Sequence, residues 1–218
     1  MTTTVTFHGL GLPPRALDAG EDAVWLGIDA FTGILDVVAE HPSELVVTFD
    51  DGNRSDVEVA LPSLLERGLR ATFFVLAGRL GTPGFLAADD VRALRSEGMG
   101  VGTHGMDHVD WRRIDDGALT RELERSRSVL EDIVGEPVVE AACPFGSYDR
   151  RVLRHLRASG YQRVYTSDGG ATRGESWLVP RSSFHRDDDA SAAQAMLHPA
   201  GAATAARSRV KRWLKRLR

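Results

Sequence analysis

The feature that most constrains this chain is an alternation. Short runs rich in β-branched and aromatic residues, near 5–7, 45–49 and 71–75, are each followed by a stretch with helical spacing: one after Asp29, one near 56–67 and one from about 88 to 97. The rhythm continues with a strand ending at Thr103, a helix over 118–134, a strand over 139–143, a helix from Tyr148, and strands near 164–166 and 177–179. About seven strands result. Strands joined through helices pair in parallel by right-handed crossovers, in a barrel or a doubly wound sheet. The polar residues choose between the two. Asp50, Asp51, His104, His108 and the turn 144–146 all fall just after strands, and so would gather at the carboxyl end of a barrel. The expectation is an α/β chain folded as a distorted, incomplete (β/α) barrel of about seven parallel strands. With no GxGxxG or Walker sequence, dinucleotide and nucleotide-phosphate chemistry has no motif behind it.

A chain of 218 residues, 42% hydrophobic, suits one domain with a full core, expected over 1–200, followed by a basic segment over 201–218. The last twelve residues carry seven Lys or Arg and no acid, so the rest of the chain is strongly acidic. Within 207–218, Val210, Trp213, Leu214 and Leu217 fall on one helical stripe between basic faces. That pattern suits peripheral contact with an anionic membrane surface, or a last helix packing Trp213 and Leu217 on the body. Nucleic acid is not an expected partner. The lone Cys143 cannot form an internal disulfide, and the start lacks a basic region followed by an apolar stretch, so a cytoplasmic location is expected. No run approaches the roughly 20 apolar residues of a membrane span.

Two segments carry chemistry. In Val46-Val47-Thr48-Phe49-Asp50-Asp51-Gly52 an apolar strand runs into two adjacent carboxylates. Like charges so close raise each other's pKa unless something neutralises one, and a divalent cation does so most simply. An Asp-Gly turn with solvated acids would read the same way. In Thr103-His104-Gly105-Met106-Asp107-His108, two imidazoles at i and i+4 follow another strand. On a helical turn that spacing puts both rings on one side. Two histidines with one carboxylate form a three-ligand face that leaves metal positions open, suiting Zn²⁺ or another divalent transition metal. Metal sites need ligands distant in sequence to converge, and these segments end strands of one βα series.

These residues resemble the motifs of the polysaccharide deacetylase (NodB-type) family. Thr48-Phe49-Asp50-Asp51-Gly52 is similar to its first motif, His104-Gly105-Met106-Asp107-His108 to its histidine pair, and Cys143-Pro144-Phe145-Gly146 to the core of its third, in the same order, over about 5–181. The resemblance implies a partial (β/α) barrel and removal of an N-linked acetyl group from an amino-sugar substrate. It further implies metal ligation by Asp51, His104 and His108, with Asp50 as general base. The backbone N–H of Phe145 would meet the developing oxyanion, and His8, Pro144 and Asp168 would contact the substrate. Cys143 stays outside the expected metal set.

The chain also departs from the family pattern. An arginine that would orient the base is replaced by Ala142, and the fourth-motif stretch, Thr166-Ser167-Asp168-Gly169-Gly170, keeps Asp168 but lacks a tryptophan. Arg181 is the candidate to replace the arginine, since its guanidinium offers the planar fork that suits a carboxylate. The general acid is assigned to His185 rather than to His198, which looks closer in letters but falls near an expected helix end. Alternatives are a metal-dependent hydrolase of a small cyclic amide or imide, a non-catalytic carbohydrate-binding relative, and an iron oxygenase with the same ligand set. The second acid beside the ligand favours hydrolysis over the last.

Overall fold

The computed structural model describes residues 1–198 and Lys215. Eight strands and six α-helices follow one another as β1 (Thr2–Phe7), α1 (Ile28–Glu40), β2 (Leu45–Asp51), α2 (Leu61–Glu66), β3 (Ala71–Val75), α3 (Ala88–Ser96), β4 (Gly100–Thr103), α4 (Asp116–Val134), β5 (Glu140–Ala142), α5 (Arg150–Ala158), β6 (Arg163–Thr166), β7 (Ala171–Thr172), β8 (Leu178–Ser183) and α6 (Ala190–Leu197). Seven of the strands pair in parallel, and the pairing of β1 with both β2 and β8 closes the ring. The result is a (β/α) barrel one strand short of eight. Its thinnest seam is between β4 and β5, which share the single pair Thr103↔Ala141. The two-residue β7 lies antiparallel on the start of β1.

Strand alternation sorts side chains into two cores. Phe7, Phe49 and Phe73 are direct partners in register on β1, β2 and β3. Their rings stack at 5.3 and 4.6 Å, and Phe31 of α1 meets Phe7 edge-on at 5.0 Å. This ladder faces the helices. Side chains one residue away face the opposite side of each strand, so Thr6, Thr48, Asp50 and Phe74 point into the barrel, where Ala142, Tyr165 and Val179 join Phe74 in a separate buried cluster. Burying a phenylalanine contributes roughly 1.5–3 kcal/mol, and aromatic contact about 0.5–1.5 kcal/mol more. The outer ladder therefore holds β1 to β3 and α1 firmly enough to support a polar interior beside it.

Three sequence expectations need correction. The stretch 56–67 opens as a π-helical turn (Asp56–Ala60) before α2. The short β7 was not foreseen, whereas α6, packed against α1, ends beside His198 as expected. The last barrel strand continues past residue 179 to Ser183, so Arg181 lies within it rather than after it. Proline ends a strand reading because it cannot donate to a ladder. Here Pro180 is the last partner of β6, and β8 continues as a partner of β1 through Arg181, Ser182 and Ser183. Of the segment 201–218 only Lys215 is described, in helical conformation, so the stripe expected over 207–218 otherwise lies outside the described residues. Among the described residues no helix is long and apolar enough to cross a membrane.

Candidate functional site

A cleft of about 910 Å³ opens at the carboxyl ends of the strands, lined among others by His8, Asp50, Asp51, His104, His108, Phe145, Asp168, Arg181 and His185. On an extended strand Asp50 and Asp51 would point to opposite faces. A left-handed φ of 77° at Asp51 breaks that alternation. Both acids thereby approach His104, whose Nε2 lies 3.9 Å from Asp50 Oδ2 and 3.6 Å from Asp51 Oδ1.

The histidines do not sit on a helical turn, as their spacing had suggested. They occupy an irregular loop after β4, where Gly105 (φ 89°) and His108 (φ 53°) turn the chain until the rings lie 5.2 Å apart. His108 Nε2 is 3.6 Å from Asp51 Oδ1. Buried Glu122 of α4, which the sequence offered no signal for, holds the loop by accepting from the Met106 backbone at 2.9 Å. A Cβ on Gly105 would fall 2.6 Å from that carboxylate, so the loop needs glycine there for space as well as for φ. Among the described residues the non-glycine positions with positive φ are Asp51, His108 and Phe145, all on this cleft. Such backbone costs about 1–3 kcal/mol per residue and persists where surrounding structure imposes it.

The protonation pattern suits ligation. His104 Nδ1 contacts the Ala142 carbonyl at 2.9 Å, an acceptor, so Nδ1 carries the proton and Nε2 turns its lone pair toward the acids. Burial lowers the His104 pKa to about 3 against the opposing field of Asp50, so the ring is neutral. His108 is lowered as well, by burial and by Arg79. Burial raises Asp51 to about 6, with the Asp50 charge acting in the same direction, and Asp51 Oδ1 is buried without a hydrogen-bond partner. An orphaned carboxylate oxygen facing two imidazole lone pairs, with ligand atoms from Asp51, His104 and His108 within 4.8 Å of one another, fits a divalent cation. Cys143 is buried and its thiol is pushed up to about 12, mainly by that burial, which keeps it protonated and outside the set.

Asp50 has a different environment. Arg181 is fully buried, and its NH1 and NH2 donate to the two Asp50 oxygens at 2.7 and 2.6 Å. NH1 also reaches Thr48 and Thr6 hydroxyls at 3.1 and 3.3 Å, and the guanidinium lies over Phe74 and Tyr165. The fork expected to stand in for the arginine missing at Ala142 is in place. Burial works to raise the Asp50 pKa, but Arg181 and His104 outweigh it and hold the carboxyl well below the usual range. Two neighbouring acids thus differ in kind, one clamped and ionised, the other free to ligate.

The remaining residues separate into cleft and support. Phe145 adopts φ 58° and leaves its ring exposed at the mouth, 4.3 Å from the His108 ring. Pro144, expected to touch substrate, is buried at the start of that turn and is not among the residues lining the cleft. Asp168 lines it, but both its oxygens are engaged: Oδ2 accepts from Tyr148 and Thr166 at 2.6 and 3.0 Å, and Oδ1 from Lys215 at 2.6 Å. His8 borders the cleft with a buried Nδ1 that has no partner. His185 lies exposed at the rim, whereas His198 is exposed at the end of α6 and away from it. Arg79, just after β3, also lines the cleft and pairs with Asp18 at 2.7 Å. Its strand-end position was a signal that sequence reading passed over.

Comparison with known proteins finds relatives both in sequence and in fold. A sequence model described as polysaccharide deacetylase matches residues 38–164. A chitin deacetylase of Pestalotiopsis sp is 27% identical over 123 residues, 56% of this chain and 41% of that protein. A peptidoglycan-N-acetylglucosamine deacetylase of Bacillus cereus is 27% identical over 131 residues, 60% of this chain and 59% of that protein. The chain spans about half the length of the curated relatives it matches. Among solved structures, the Streptococcus pyogenes deacetylase PplD in complex with acetate superposes with a TM-score of 0.78, covering 91% of this chain and 98% of that one. At 17% identity that likeness speaks for the barrel alone.

Proposed function

The chain belongs to the polysaccharide deacetylase family, and from that premise we propose that it is a metal-dependent hydrolase removing an N-linked acetyl group from an amino-sugar substrate. One observation carries the reading. At the floor of a single cleft, a ligand triad of Asp51, His104 and His108 stands beside a second carboxylate, Asp50, that is clamped in the ionised state. A structural ion pair would not require the adjacent orphaned oxygen of Asp51, and a plain metal-binding face would not require Asp50.

A divalent cation held by the triad, with Zn²⁺ the first candidate from its two nitrogen donors and one oxygen, supplies Lewis acidity toward the acyl carbonyl and raises the acidity of water there. Asp50 takes the proton from the attacking water. Its fork-to-fork contact with Arg181 fixes which way the remaining lone pairs point, and a base so positioned contributes about 10²–10⁴-fold. The Phe145 N–H, on a turn held in left-handed geometry, is the candidate donor to the oxygen that gains charge as the tetrahedral carbon forms. His185, at the rim, is the candidate to return a proton to the departing amine. The exposed ring of Phe145 suits the apolar face of a sugar, while His8 borders the pocket. Asp168 serves this reading as a wall residue held by Tyr148 and Lys215.

The test is acetate release by metal-replete protein from a panel of N-acetylated amino sugars, free and oligomeric, run beside small cyclic imides. Release from the sugars, abolished by chelation and restored by metal, is expected. Turnover of the imides alone would overturn the reading.

A further inference from the structure

Helix α5 carries two basic stripes in different surroundings. Arg151 and His155 turn toward the start of α4, where they lie 2.7 and 3.2 Å from Asp116 Oδ1, and Arg151 also donates to the Trp111 and Ile114 carbonyls. Arg150, Arg154 and Arg157, at i, i+4 and i+7, line a separate groove of about 390 Å³ between α5 and the start of β8. Most described arginines are in ion pairs, such as Arg15 with Glu21 and Arg67 with Asp36. Among the described residues these three have no carboxylate partner, and the groove lining contains no acid. Of the acids beside the lining in sequence, Asp149 caps α5 by accepting from the Val152 N–H at 2.8 Å, and exposed Glu175 acts on Arg163. Like charges stacked along one helix face oppose folding unless an anion comes from outside.

The floor beneath them is apolar and rigid. Leu153, Trp177 and Leu178 form it, and the Trp177 indole is pinned by its Nε1 donating to the Tyr161 carbonyl at 2.8 Å. The Arg157 guanidinium lies 3.9 Å from the Trp177 ring centroid. We propose that this groove binds a segment of an acidic polysaccharide, with carboxylate, sulfate or phosphate groups on the guanidinium row and sugar faces on the apolar floor. From Arg150 to Arg157 the helix rises about 10 Å, so the ligand carries charges repeated along its length rather than one anionic group. A flat membrane surface does not enter a groove of this kind. Single-stranded nucleic acid needs several aromatic platforms on which successive bases stack, and the groove lining holds one aromatic side chain. Arg150 opens α5 four residues after Gly146, which lines the cleft at the strand ends. The proposal stands apart from the hydrolytic reading, because binding is measured without turnover.

The experiment uses the full chain and a size-fractionated heparin octasaccharide, with a neutral chitin hexasaccharide and anionic phospholipid vesicles as comparators. The triple variant Arg150→Gln/Arg154→Gln/Arg157→Gln should lose at least tenfold in heparin affinity and show a shallower dependence on salt, because fewer counterions are released. A charge-matched variant, Arg121→Gln/Arg125→Gln/Arg173→Gln, alters exposed arginines outside the groove and should stay within about twofold of the parent. Thermal unfolding of both variants checks that they fold alike. Equal losses in the two variants would reduce the effect to net charge and overturn the proposal. So would unchanged heparin affinity in the groove variant, which would move binding to the basic C-terminal segment. A loss confined to vesicle binding would refute the saccharide assignment.

Discussion

Replacing Arg181 with methionine tests the central electrostatic argument. The substitution keeps much of the buried volume but leaves the Asp50 carboxylate, 3% exposed, without the guanidinium that contacts both its oxygens. Breaking a buried pair by removing one partner costs about 3–5 kcal/mol. For a chain of this size each kcal/mol lowers the melting temperature by roughly 2–4 °C, so a fall of about 6–20 °C is expected at neutral pH. In the parent, the Asp50 pKa is depressed below its unfolded value. That contribution to stability is present above an unfolded pKa of about 3.9 and is lost as pH falls through the folded one. Without Arg181, burial, the largest influence on Asp50, pushes its pKa above the unfolded value. The variant's penalty then grows as pH rises from about 4 to 7. The assay is denaturant unfolding followed by circular dichroism, in chelator so that metal does not contribute, across that pH range. Asp50→Asn in the same background should recover part of the loss by removing the stranded charge. A penalty below about 1 kcal/mol, or one independent of pH, would refute the reasoning.

Other consequences are testable. His104→Ala should lose stoichiometric metal by elemental analysis, whereas Asp50→Asn should keep the metal and lose about 10²–10⁴-fold in turnover; a full metal equivalent in the first variant would remove His104 from the ligand set. Gly105→Ala should weaken metal affinity and destabilise the fold by about 1–3 kcal/mol, because the residue has φ 89° and the new Cβ would press on Glu122; unchanged melting and metal titration would contradict that. The Cys143 thiol, pushed up to about 12, should resist a thiol reagent at pH 8 in native protein and react after unfolding. Rapid native labelling would show that the turn opens.

Much of the architecture was legible because it rests on local period. Each barrel strand is a short apolar run between turns or helices, and seven such runs separated by helical spacing leave few parallel arrangements. Asp50, Asp51, His104 and His108 were legible for a related reason: they stand just past strands, and a barrel gathers strand ends on one face whatever the loops do. Less visible were the features without a local period. Neither β7, paired on the start of β1, nor Glu122, which reaches across from α4 to steady the histidine loop, is announced by neighbours in sequence.

By itself the sequence determined the barrel class, the strand-end acids and imidazoles, and Arg181 as the candidate to replace the arginine missing at Ala142. Only the tertiary structure decided what distinguishes the acids. Asp50 and Asp51 are chemically identical neighbours; the family resemblance implies different roles for them, but nothing in their order shows what clamps one carboxylate in the ionised state and leaves the other a free oxygen. The difference comes from a left-handed turn at Asp51, which frees one oxygen toward the histidines, and from a guanidinium 131 positions away that holds Asp50 ionised. Charge states in a buried site depend on distances and burial across the whole barrel, and those exist only once the chain has closed.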